Sequence, residues 1–203
     1  MYLNNYSVRV IGGNETSGGY VEMNHRQTYQ LQLRNSNYRR CDARIEVDGK
    51  HVGTWRINGN QSITLERPAH DQGKFTFYKS GTSEAHSAQL SEGDPNLGLV
   101  KVTFTPESEP RPLSHTLDVP MAGSFKGIET SYSAASSTST SRSFRGSGGT
   151  GLSGHSYQQY GNADQIEYDY SGQTVIFLRL VSVETDLPRP LTQFSTPVPP
   201  RVD

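Results

Sequence analysis

Apolar and polar residues alternate one by one through most of the first hundred positions, and few patterns restrict a fold so strongly. Tyr6, Val8 and Val10 are separated by Ser7 and Arg9. Tyr29, Leu31 and Leu33 alternate with Gln30, Gln32 and Arg34. Ala43, Ile45 and Val47 alternate with Asp42, Arg44, Glu46 and Asp48. Ile63 and Leu65, then Phe75 and Phe77, repeat the pattern, and Val100, Val102 and Phe104 close it. A period of two places each apolar set on one face of a half-buried strand. No window carries a comparable 3.6-residue stripe. Helix therefore reduces to one short turn within 83–90.

Turn residues agree with strands. Asp48-Gly49 separates two alternating runs and is the clearest hairpin signal. Asn58-Gly59 punctuates the step to 62–66, Gly12-Gly13 and Gly18-Gly19 bracket a polar loop, and Asp94-Pro95-Asn96 turns into the last run. Roughly eight strands between Tyr6 and Thr105, at a spacing of about 8–12 residues, predict an all-β antiparallel sandwich or jelly-roll-like domain over 1–107. Trp55, the only tryptophan, reads as a core plug beside Ile57, and Gly53 as a bulge.

Composition changes after Glu107. Pro106, Pro110, Pro112 and Pro120 begin an extended segment, 108–164, that does not suit a central strand. Residues 131–156 hold 10 Ser, 5 Gly and 3 Thr. Such a stretch offers little burial against its ordering entropy and reads as a flexible arm, ordered only on a partner surface. Apolar character returns at 165–183. Ile166, Tyr168 and Tyr170 alternate, Ser171-Gly172 turns, and 174–183 follows as a longer run. This predicts a β-hairpin. A lone hairpin is marginal in water, so it is expected to dock on the first sheet or on a neighbouring chain. The near-continuous Val175–Val181 stretch predicts cover on both faces. Residues 184–203 form a Pro-rich tail with Leu191, Phe194 and Val198 as isolated anchors.

Charge and cysteine content remove several function classes. The net charge is −1, with 12 basic against 11 acidic side chains in 1–107 and 7 against 9 in 108–203, so nucleic acid is not an expected partner. No stretch approaches the roughly 20 apolar residues of a membrane-spanning helix. The N-terminus lacks the pattern of a secretory signal. Asn14-Glu15-Thr16 and Asn60-Gln61-Ser62 then read as accidental sequons. Cys41 is the only cysteine, so no internal disulfide forms, and a small buried residue is the plainest role for it.

Motifs with chemical meaning fail on context. Gly146-Ser147-Gly148-Gly149-Thr150-Gly151 matches a dinucleotide fingerprint by letter, but neither a preceding strand nor a following helix is predicted. Ser153 and His155 imitate part of a nucleophile elbow without the strand-turn-helix setting. The six histidines include no pair two or four apart that would suggest a local metal site. His70-Asp71 reads as a loop-capping pair, and Glu92 with Asp94 is a poor calcium loop. No catalytic residue, cofactor or metal is expected, and the chain reads as non-enzymatic. Tyr157, Tyr160, Tyr168 and Tyr170, close to Gln158, Gln159 and Asn162, have the composition of adaptable interfaces and of sugar sites. These tyrosines, with Leu191, Phe194 and Val198, are the candidate partner-binding residues.

A compact sandwich, a Ser/Gly arm, a hairpin that needs a partner and a Pro-rich tail suit a subunit tied into a larger particle. In this organisation, from Tyr6 to Thr105 and through 131–156, 165–183 and the tail, the chain resembles decoration, cement and minor capsid proteins of phages and other double-stranded DNA viruses. No residue-level motif accompanies the likeness. It implies a virion structural protein, assembled in the host cytoplasm, that contacts capsid or tail subunits and copies of itself. The alternative is a carbohydrate-binding or adhesion module, with Trp55 or the tyrosines stacking a sugar ring. An enzyme with a dispersed site is the third class, since sandwiches host many functions.

Overall fold

The alternating segments are strands in the structure, a computed structural model that describes residues 1–109 and 145–183. In chain order they are β1 (Tyr2–Leu3), β2 (Tyr6–Ile11), β3 (Asn14–Glu15), β4 (Tyr20–Met23), β5 (Gln27–Thr28), β6 (Gln30–Asn35), β7 (Cys41–Val47), β8 (Lys50–Ile57), β9 (Ser62–Leu65) and β10 (Lys74–Lys79). The short helix α1 (Ser83–Ser87) comes next, then β11 (Leu99–Pro106), β12 (Arg145–Gly146), β13 (Gly148–Ser153) and β14 (Thr174–Val183). The chain is an all-β protein.

Two layers enclose one core. The larger sheet runs β3-β4-β14-β11-β7-β8, with β12 beside β14. Opposite it lie the sheets β1-β2-β6-β9 and β13-β10-β5. Only Tyr29 separates β5 from β6, so these two sheets adjoin. Among the described residues every strand pair is antiparallel except β4 with β14. Val8 faces Leu33, Leu33 faces Ile63, and Ile45 faces Val102, which faces Ile176. The alternating apolar sets are buried almost completely. Each aliphatic side chain so placed contributes about 1.5–3 kcal/mol. Tyr6 stacks on Phe104 across the layers, with ring centroids 4.5 Å apart.

The Asp48-Gly49 turn joins β7 to β8 as the sequence predicts. Both residues have positive φ, 51° and 74°, the requirement of a two-residue type I′ turn. A register shift between Ile45 and Glu46 marks the expected bulge opposite Gly53. The Asp48 carboxylate turns inward, where Oδ1 accepts the Gly98 amide at 2.5 Å and Oδ2 the Thr150 amide at 2.7 Å. Burial pushes this carboxyl up to about 6. The two amide bonds and the Lys50 charge pull it down, and the Asp94 charge adds to the rise. The folded chain therefore keeps a proton that an unfolded Asp releases near 4. Stability falls as pH rises from there, and the loss is complete above about 6. Lowering the pH from about 7.5 to about 5 is expected to stabilise the fold by about 1.4 kcal/mol. Urea titrations at the two pH values check this. Equal midpoints, or the same gain in Asp48→Asn, would disprove the assignment. At still lower pH the sign reverses, because partners hold Asp42 and Glu46 below the usual carboxylate range.

Three expectations are overturned. Residues 165–183 do not form a hairpin. β14 lies inside the large sheet, antiparallel to β11 and parallel to β4, and 165–170 carry one bridge, between Tyr168 and Glu107. A central strand satisfies the backbone groups on both its edges, which a lone hairpin leaves half unpaired. Its outer face is only partly covered, since Val181 is buried but Phe177 is 51% exposed. The folded unit therefore does not end at 107.

The second correction concerns the Gly-rich stretch. Residues 148–153 pair with β10 along its whole length instead of forming an arm. A Cβ at Gly148, Gly149 or Gly151 would collide with Phe77, Leu97 or Tyr78. The glycines mark close packing, and no flexibility follows from them. The third is the polar loop bracketed by Gly12-Gly13 and Gly18-Gly19, which contains β3 and runs into β4, a strand that the sequence pattern did not mark. Its Val21 and Met23 are buried. The remainder of the expected arm, 110–144, and the tail 184–203 lie outside the described residues.

Candidate functional site

One end of the sandwich gathers the turn between β1 and β2, the β6–β7 loop, the end of β11 and the segment that leads into β14. Asn4 and Asn5 turn there with φ of 48° and 63°, a left-handed conformation that Asn tolerates. Asn35 is fully buried and frames the β6–β7 loop. Its Nδ2 donates to the Arg39 carbonyl at 2.7 Å, and its Oδ1 accepts the Asn37 amide at 3.0 Å. Asp169 holds the next loop by accepting the amides of Ser171 and Gly172 at 3.1 and 3.2 Å.

On this frame stand four tyrosines with open rings. Tyr2, Tyr38, Tyr168 and Tyr170 are 62, 73, 36 and 71% exposed. Three hydroxyls are anchored. Tyr2 donates to Asn5 at 2.5 Å, Tyr38 to Glu109, and Tyr168 to Asp42 at 2.7 Å. The rings of Tyr168 and Tyr170 lie 5.8 Å apart. An anchored hydroxyl with a free ring presents contact area at little entropy cost.

Arginines tie the patch together. Arg39 donates to Asp169 and to the Glu107 carbonyl, at 3.2 and 3.1 Å, and lies 5.9 Å from the Tyr38 ring centroid. Arg40 grips the Glu107 carboxylate through two bonds of 2.6 Å. Arg56 pairs with both oxygens of Asp42 and donates to the Asp164 carbonyl at 2.8 Å. Burial would raise Asp42, but bonds from Arg56 and Tyr168 hold its carboxyl below the usual range. Arg40 does the same for Glu107, whereas the bond to Asp42 raises the Tyr168 phenol. At neutral pH these carboxylates are ionised and paired and the Tyr168 phenol stays protonated. Such an arrangement serves recognition better than proton transfer.

The predicted partner residues divide. Tyr168 and Tyr170 belong to the patch. Tyr157 is 88% exposed and stands apart, edge-on to His155 at 4.8 Å. Tyr160 is half-buried against Trp55 at 5.5 Å. Its hydroxyl donates to the Arg67 carbonyl at 2.9 Å, and the Arg67 guanidinium covers its ring at 4.3 Å. Leu191, Phe194 and Val198 lie outside the described residues. Sequence reasoning missed Tyr2, Tyr38 and Arg39. The Asn-Tyr spellings around Asn4-Asn5 and Asn37-Tyr38 were the available signal.

A groove of about 910 Å³ adjoins the patch, between β8, β9 and residues 158–168. Gln158 closes the β9 edge there. Its side-chain amide accepts from the Glu66 amide at 2.9 Å and donates to the Thr64 carbonyl at 2.6 Å, as a neighbouring strand would. Trp55 is a half-buried wall of the groove that packs on the core.

The remaining motifs have structural partners. Ser153 bonds Thr76 at 2.6 Å, away from any contact with His155. Asp71 caps the Gly73 amide at 2.7 Å. Cys41 is buried, which pushes its thiol up to about 12 and makes it a poor nucleophile. Among the described residues no group of three His, Cys, Asp or Glu side chains is placed to hold a metal ion.

The fold and the patch together describe an all-β sandwich with a tyrosine-rich end. Compared with models of protein families, with curated proteins and with solved structures, the chain matches none.

Proposed function

We propose that this chain is a non-enzymatic assembly protein, a virion structural subunit that decorates or cements a larger particle and contacts other virion proteins. The convergence of Tyr2, Tyr38, Tyr168 and Tyr170 at one end carries the proposal. Tyr and Arg are the residues enriched in protein interfaces and among their hot spots. The path of the chain supports it. Glu109 lies beside this end, bonded by Tyr38, and Arg145 pairs with Val183 at the opposite end of the sheet. β14 spans about 30 Å at the usual strand rise, so both ends of the sandwich carry a chain connection.

Sedimentation of native material through a gradient tests the proposal. The chain is expected in a particle-sized fraction. Recombinant chain carrying Tyr38→Ala and Tyr170→Ala should rebind stripped particles at least about 30-fold more weakly, the size of one strong hot spot. Rebinding unchanged by both substitutions, or native chain found only as a free 22.4 kDa species, would sink it.

The groove beside Trp55 favours a second reading, a carbohydrate-binding module. Gln159 and Asn162 line it with amides suited to sugar hydroxyls. Arg67 covers the Tyr160 ring, which leaves less stacking surface than such sites use. A glycan array discriminates the two readings.

A further inference from the structure

A second cavity, unrelated to the tyrosine end, opens between the two layers where the β7–β8 turn meets β10, α1 and β13. Its volume is about 500 Å³, within the range of small-ligand sites. Val47, Val52, Phe75, Tyr78 and Leu152 give it an apolar wall. Asp48 lines it as well, with Lys50 and Glu84. Glu84 is already committed to Arg26 and its hydroxyl neighbour Ser83. Asp48 differs. Its hydrogen bonds come from two backbone amides, one per oxygen, and each carboxylate oxygen accepts more than one bond. A half-enclosed carboxylate beside an apolar wall, with no side-chain cation bonded to it among the described residues, favours a cation that brings its own apolar body.

We propose that this cleft binds a small apolar ammonium compound, with the alkyl or aryl body on Val52, Phe75 and Leu152 and the cation at the Asp48 carboxylate. The function is separate from particle assembly and does not depend on it. The elevated titration of Asp48 agrees, since a bound cation would relieve the cost of its buried charge.

Calorimetric titration of the full chain with n-hexylammonium, 1-hexanol and hexanoate at about pH 7.5 tests the site. The three share one apolar body and differ in head group. Hexylammonium is expected to bind about tenfold more tightly than hexanol, and hexanoate least. Asp48→Asn should erase the preference for ammonium over alcohol, because Asn suits the left-handed turn but carries no charge. Lys50 is exposed at the rim, so Lys50→Gln keeps the fold and should tighten hexylammonium about two- to threefold. The Lys50 variant carries the test should Asp48→Asn fail to fold. Hexanoate binding as well as hexylammonium, no binding of hexylammonium at about 10 mM, or affinity unmoved by the foldable variants would each overturn the proposal.

Discussion

Ending the chain after residue 107 is expected to leave no folded domain. The truncation removes β14 from the middle of the large sheet, where six of its residues pair with β11 and four with β4. Ile176, Leu178 and Leu180 leave the core with it, each worth about 1.5–3 kcal/mol of burial. β10 loses its neighbour β13 along six residue pairs. The three side chains alone carry about 4.5–9 kcal/mol, comparable with the whole margin of a typical domain, about 5–15 kcal/mol, before the lost strand pairing is counted. Circular dichroism and amide proton dispersion should show an unfolded chain. The chain ended at 183 keeps every described strand and should melt cooperatively. A cooperative melt of 1–107 near that of the full chain would mean that β14 is dispensable.

Phe104→Ala should be among the most damaging single substitutions. Phe104 is fully buried at the tyrosine end of β11, opposite Ala43 and Thr174. Its ring stacks on Tyr6 with planes 12° apart, so it joins the two layers where the tyrosine-bearing loops depart. Removing it leaves a cavity that small neighbours do not fill. The expected loss is about 3–5 kcal/mol, read as a lower midpoint in denaturant. A loss below about 1 kcal/mol would mean that the layers do not meet through this ring. The proposed particle binding through Tyr168 and Tyr170 should weaken with it, because Asp169 and Pro106 are joined by a backbone bond of 2.9 Å at the end of the same strand.

Period-two alternation was enough to place β2, β6, β7, β9, β10 and β11 and to choose their buried faces, and the Asp48-Gly49 turn located β8. Thr82 caps α1 through its hydroxyl, at the turn foreseen within 83–90. Alternation failed where side chains do not carry the pattern. β13 is a strand because glycine lets Phe77, Leu90 and Tyr78 approach its backbone, and a missing side chain leaves no periodic mark. β4 is too short to show a period, and it is held by β14, which follows it by 150 residues in the chain. Tyr168 and Tyr170 were visible as interface chemistry. Tyr2 and Tyr38 join them only because the β1–β2 turn and the β6–β7 loop fold to the same end.

The sequence by itself determined that this chain is all-β, which side chains face inward along six strands, and that a tight hairpin turns at Asp48-Gly49. Those properties follow from local geometry, since a strand's faces and a turn's φ angles depend on adjacent residues. Only the tertiary structure decided that β14 enters the centre of the sheet, that the Gly-rich stretch becomes a strand, and which tyrosines meet at one end. Backbone hydrogen bonds are alike for every residue, so the choice of partner strand rests on how whole layers pack, and that information is spread across the chain.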